Sequence, residues 1–151
     1  MFPMNDMLGV DLIIPDWKYV LDRKENVKAV LITHGHEDHI GAISYLMKEI
    51  DAPVFATPLT SGFINAKLRE AHLSDVRVEE IRAGDAFAIG QFLIEPFHVT
   101  HSFPDCVGFG ITTPVGLIVH TGDYKIDHTP CLLYTSPSPR DLSTSRMPSS
   151  A

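Results

Sequence analysis

An α/β (α+β) sandwich is the fold class this sequence predicts, and three observations predict it. A β-branched apolar run, VKAVLIT at residues 27–33, leads through a polar turn into apolar residues at helical spacing. A second strand-length run, PVFAT at 53–57, is followed at once by a longer amphipathic stretch. From residue 76 the texture changes to short strand-like runs broken by Gly, Pro and Asp, which argues for an antiparallel or mixed sheet. The chain has 151 residues, 44% of them hydrophobic and 21% charged, enough for one soluble domain with a proper core.

Taken in order, Trp17, Tyr19 and Val20 resemble a core-facing stripe more than a platform for stacking bases. The strand at 27–33 ends in a turn, and Ile40, Ile43, Leu46, Met47 and Ile50 place a helix over 40–50. After the short strand at 53–57, Pro58 opens a helix over 58–73 whose apolar stripe is Leu59, Phe63, Ala66 and Leu73. VRVEEIR, AFAIG, QFLIEPFHV, VGFGITT and GLIVHTGD then read as strands, with TPVG at 113–116 as a turn. No internal repeat is visible.

The formal charge of −7 and pI near 5.5 exclude nucleic-acid binding through a general excess of Lys and Arg. A polyanion would need a local attraction such as metal ions. Cys106 and Cys131 are too few for a disulfide framework and form no CxxC pair, so a reducing compartment is expected. The start, MFPMNDML, lacks the basic and apolar regions of a signal peptide, and no apolar stretch approaches the roughly 18 residues of a membrane span. The protein is expected to be cytoplasmic and not membrane-bound.

Residues 33–41, THGHEDHIG, carry the chemistry. In an extended turn, side chains two apart point the same way, so His34 and His36 can aim at one ion. Asp38 and His39 fall in the first turn of the next helix, where they can face a neighbouring position, while Glu37 points away. Imidazole and carboxylate donors without thiolate suit Zn²⁺, with Mn²⁺ as a substitute. Two ions need more ligands than one turn supplies, and HVTHSFPD and HTGDYK offer them: His101 and Asp123 each follow a strand-like run and enter a turn at a sheet rim. His98 is the alternative ligand to His101. His120 reads either as a partner that orients a ligand or as a core histidine. Lys125 reads as a solvated cation, and His72 and His128 carry no signal.

THGHEDHIG resembles the HxHxDH signature of the metallo-β-lactamase fold, and THSFPD and HTGDYKID resemble its later single-His and Asp motifs. FPMNDMLGVDLIIPDWKYV, HGHEDHIGAISYLMK and HTGDYKID together are similar to bacterial ribonuclease J, a β-CASP nuclease, over residues 2–130. The resemblance implies a partial metallo-β-lactamase αββα sandwich. It implies two Zn²⁺ (Mn²⁺ possible), with His34, His36 and His101 on one, Asp38 and His39 on the other, and Asp123 bridging. Asp38, His39 and Asp123 are the implied catalytic residues, and a metal-activated hydroxide would hydrolyse RNA phosphodiester bonds, as a 5′-to-3′ exonuclease and endonuclease. A cytoplasmic homo-oligomer is implied for the full-length parent. The alternative is another hydrolase of this fold, of thioesterase or lactonase type, or a fragment without catalysis.

The domain expected from this reading spans residues 1–130. Residues 131–151 hold six Ser and three Pro with no periodicity. CLLYTSPSPRD is what one frame of a transposase-type sequencing adapter encodes, and SRMPSSA matches the outer end of the same adapter. The segment is therefore expected to be translated adapter, disordered and without function. The family pattern continues on both sides of this chain, with a β-CASP domain and a further His for the second metal position. The 151 residues alone are thus expected to be marginally stable and inactive, a fragment of a metal-dependent hydrolase.

Overall fold

The computed structural model describes residues 13–126. The run beginning at Phe2, along with His128, Cys131 and the segment 131–151, lies outside them or only partly within them. In chain order the elements are α1 (Lys18–Leu21), a 3₁₀ turn (Lys24–Asn26), β1 (Val30–Leu31), α2 (Glu37–Ile40), α3 (Ile43–Leu46) and β2 (Val54–Ala56). There follow α4 (Pro58–Glu70), β3 (Val78–Glu80), β4 (Phe87–Ile89), β5 (Phe92–His98), β6 (Val107–Thr113) and β7 (Gly116–His120). Strands β1, β2 and β3 pair in that order as a parallel sheet, and β4 to β7 form an antiparallel sheet of consecutive neighbours. Among the described residues no helix is long and apolar enough to cross a membrane.

Parallel pairing of β1 with β2 needs a crossover, and α2 and α3 supply it. The predicted helix over 40–50 is broken: Ala42 sits at φ −100°, ψ 7°, between the single turns of α2 and α3. Ile40, Ile43, Met47 and Ile50 are nevertheless all buried, so the apolar periodicity located the buried face even though the helix is interrupted. The predicted strand at 27–33 shortens to β1 because its partner β2 is only three residues long. Its extension survives as backbone bonds from Val30 N to the Pro53 carbonyl and from Ile32 N to the Phe55 carbonyl, both 2.9 Å.

Helix α4 begins at Pro58 as expected but faces the core with a different side. Thr60, Ser61, Ile64 and Leu68 are buried, whereas Leu59 and Phe63 are 42% and 48% exposed. Hydroxyl hydrogen bonds set this register. Ser61 Oγ donates to the Ala56 carbonyl (3.2 Å), and Thr57 Oγ1 donates to the Asp105 carbonyl (2.9 Å), so small polar residues enter the core satisfied. The stripe expected at Trp17, Tyr19 and Val20 is also corrected: none is buried, and Tyr19 is 72% exposed beneath the Arg23 guanidinium, 4.2 Å from its ring. The cation–π contact gives that ring a partner at the surface.

Two apolar clusters make the layers. One lies between the parallel sheet and the helices, built on Ile32, Ile40, Ile43, Met47, Val54, Ala56, Ile64 and Leu68. The other joins the two sheets through Ile81, Ile94, Val107 and Phe109, with Phe55 stacked on Phe87 at 4.8 Å between ring centres. Helix, sheet and sheet are thus stacked, three of the four layers of the expected sandwich. Strand β7 forms the outer edge, and all five of its residues are exposed.

Candidate metal centre

The C-terminal end of β1 and the loops after β5 and β7 converge on one rim of the sandwich. Thr33 ties them together: its carbonyl accepts from Val107 N at the start of β6 (2.9 Å), closing the parallel sheet onto the antiparallel one. Gly122, at φ +59°, folds the chain after β7 against the Thr33 side chain, where a Cβ would lie 3.0 Å from the Thr33 methyl. These contacts bring His34, His36, His101 and Asp123 to one place.

His34 is fully buried at the centre of the cluster, with ring centres 4.7 Å from His36, 4.1 Å from His39 and 4.7 Å from His101. Its Nε2 lies 3.0 Å from His36 Nδ1, which in turn lies 3.1 Å from His101 Nε2. On the other side His39 Nε2 is 3.5 Å from Asp123 Oδ2, and the same oxygen is 4.0 Å from His101 Nε2. Two overlapping groups result, His34 with His36 and His101, and His34 with His39 and Asp123, each with donor atoms within 4.8 Å of one another. Asp38 joins neither group. Its carboxylate lies 3.7 Å from His39 Nε2 and is 74% exposed.

Thr33 Oγ1 is 3.0 Å from His34 Nδ1; in the tautomer whose Nδ1–H donates to the hydroxyl, the Nε2 lone pair is left aimed inward. Nε2 of His34 and Nδ1 of His36, 3.0 Å apart, either share a proton as a hydrogen bond or turn two lone pairs on one cation. Tetrahedral coordination at about 2.1 Å per nitrogen separates ligand atoms by about 3.4 Å, close to the spacings present. The donor set, imidazole and carboxylate with Cys106 turned away to the Phe103 carbonyl (2.9 Å), therefore fits a metal of zinc or manganese type.

Burial pushes the pKa of His34 down from its ordinary 6.5 to about 4, with the neighbouring His39, His101 and His36 adding to the effect and Asp123 opposing it. In the metal-free chain the unfolded form then binds a proton at His34 between pH 6.5 and 4 that the folded form refuses. Stability present above pH 6.5 is lost as pH falls through that window, by at most about 1.4 kcal/mol per unit from this group. Urea midpoints measured in EDTA at pH 7.5, 6 and 5 should fall accordingly, and a His34→Asn chain should show a flatter profile. Equal profiles would remove His34 as the source.

Burial also pushes the Cys106 thiol up, to about 11. Of the other residues singled out in the sequence, His98 ends β5 with its Nδ1 buried and without a hydrogen-bond partner, and it belongs to neither group. His120 is exposed and not a core histidine, its Nδ1 accepting from Gly122 N (3.2 Å). Two residues escaped sequence reasoning. Thr33 was treated only as the end of a strand, although its place directly before His34 was available as a signal. Phe103 covers Gly35, where a Cβ would meet its Cζ at 2.6 Å, and its ring centre is 5.3 Å from that of His36. No pattern in the sequence announces that contact.

A profile described as Beta-lactamase superfamily domain matches residues 4–133. The chain belongs to that family. As a β-lactamase superfamily domain it resembles the Rm3 metallo-beta-lactamase in fold, with a TM-score of 0.53 at 20% identity over 80% of this chain and 51% of the other. It is 44% identical over 131 residues to ribonuclease J of Helicobacter pylori and 45% identical over 130 residues to ribonuclease J 1 of Streptococcus pyogenes. Each match covers 85% of this chain but only 19% and 23% of those relatives, so the chain spans about a fifth of their length. The expected α/β fold and the resemblance to ribonuclease J are both borne out.

Proposed function

We propose that this domain is the metal-binding part of a ribonuclease that hydrolyses RNA phosphodiester bonds as a 5′-to-3′ exonuclease and endonuclease. The observation that carries the reading is the convergence of His34, His36, His39, His101 and Asp123 from three separate segments into two donor groups that meet at His34. The similarity to ribonuclease J supports the choice of RNA as substrate. His34, His36 and His101 would hold one zinc and Asp38 and His39 the other, with Asp123 between them. When bound, such a pair lowers the pKa of water and neutralises charge on a phosphate and its leaving oxygen.

The chain's own residues prepare that site. Thr33 fixes the ring nitrogen that His34 presents, and Phe103 shields His36 on the side of Gly35. A cation pair also supplies the local attraction for a polyanion that a net charge of −7 does not. In this reading the full-length protein is a cytoplasmic homo-oligomer, and residues 131–151 are translated adapter. Resequencing the locus across the Pro130 codon checks the last point.

The test uses the full-length protein with 5′-labelled RNA in Zn²⁺ or Mn²⁺. Cleavage should vanish in EDTA, return on adding metal, and fall by at least about 1,000-fold in Asp123→Asn. A preparation that leaves RNA intact while hydrolysing a thioester or lactone would overturn the nuclease reading and keep the fold.

A further inference from the structure

We propose that Asp105 is the positioning residue for His101, anchoring the loop that carries this histidine to the start of α4. The inference rests on His34, His36 and His101 being metal ligands. Residues 99–106 leave β5 and return to β6, and His101 is the only member of the cluster on this loop. The loop is closed at its base by Val99 N bonding to the Cys106 carbonyl (3.3 Å), and its near side is tied by Lys125 N to the Thr100 carbonyl (2.8 Å). Its far side is held through Asp105.

Asp105 has φ +65°, a conformation that few residues other than Gly, Asn and Asp adopt. That turn directs both of its acceptors at α4. Its carbonyl accepts from Thr57 Oγ1 (2.9 Å), a side chain with no exposed surface. Its carboxylate accepts from Leu59 N (3.3 Å). Pro58 has no N–H and Thr57 makes no side-chain cap, so Leu59 N is the first donor of α4 needing a partner. A carboxylate there also suits the positive end of the helix dipole. One aspartate thus caps a helix 46 residues earlier in the chain and fixes the span on which His101 reaches His36.

Two variants separate anchoring from general stability. Asp105→Gly keeps the left-handed backbone but removes the carboxylate, and Asp105→Asn keeps both the backbone preference and an acceptor. Co²⁺ binding to the 151-residue chain, read by its visible absorption, should weaken at least tenfold in Asp105→Gly and stay within about threefold of wild type in Asp105→Asn. Thermal midpoints of the metal-free chains should differ by only a few degrees. Wild-type Co²⁺ affinity in Asp105→Gly would overturn the proposal, as would a loss that Asp105→Asn does not restore.

Absence of Co²⁺ binding in the wild-type chain would be a failure of the ligand reading, not of the anchor. The anchor is then decided by alkylation of Cys106 in the folded, metal-free chain, followed by mass spectrometry. Cys106 sits next to Asp105, is 1% exposed and donates to the Phe103 carbonyl within the same loop. Faster alkylation in Asp105→Gly than in wild type supports the anchor, and equal rates overturn it.

Discussion

Replacing His34 by alanine is expected to abolish tight metal binding at the position it shares with His36 and His101, a loss of more than about 100-fold in affinity, since even the outer partners of ligands cost 10- to 100-fold. The reason is geometric. His34 stands where the two donor groups meet, but with Nδ1 against Thr33 its one inward nitrogen can hold a single ion, and that nitrogen lies 3.0 Å from His36 Nδ1. Isothermal titration with Zn²⁺ of His34→Ala, His36→Ala and His39→Ala chains distinguishes the cases. His34→Ala and His36→Ala should lose the same binding event, and His39→Ala the other. A His34→Ala chain that retains, at wild-type affinity, the event lost in His36→Ala would show that His34 is not a ligand at that position.

Much of that arrangement was legible in the sequence. The spacing of His34, His36 and His39 on a strand-to-helix turn follows from side-chain periodicity, and the centre lies where the turn was expected. His101 and Asp123 could be proposed as rim residues because each follows a strand-like run. What the sequence did not carry was partnership across distance. Asp38 and His39 fall together in the first turn of a helix and the family resemblance puts them on one ion; the fold sets His39 against Asp123 and His34 and leaves the Asp38 carboxylate, 3.7 Å from His39 Nε2, mostly in solvent.

The phase of α4 shows the same limit. Apolar spacing favoured Leu59 and Phe63 as its buried stripe, but the hydroxyls of Thr57 and Ser61 have partners on Asp105 and Ala56 that only the folded chain brings near. A buried hydroxyl with a good acceptor costs little, and the larger apolar residues turn outward. Phe63 there meets Phe103 edge to face at 5.9 Å, and Phe103 in turn faces His36. The periodic β5, β6 and β7 runs were easier because each pairs with its neighbour in sequence, and the TPVG turn fixes the register Thr113 to Gly116.

Phe109→Ala is expected to cost about 3–5 kcal/mol, enough to unfold most of a domain whose whole stability is of order 5–15 kcal/mol. Phe109 is 2% exposed in the cluster that joins the two sheets, with Ile81, Ile94 and Val107. On β6 it pairs with Pro96 of β5 and His120 of β7, so the cavity would open in the middle of the antiparallel sheet. The consequence reaches the histidine cluster, because Val107, two residues earlier on β6, holds the Thr33 carbonyl beside His34. Phe109→Leu leaves a smaller cavity and should cost less, keeping the chain folded for comparison. Urea unfolding followed by circular dichroism measures both. A Phe109→Ala midpoint within about 0.5 kcal/mol of wild type would mean that the two sheets are not held together at this cluster, and that the rim carrying His34 is supported from elsewhere.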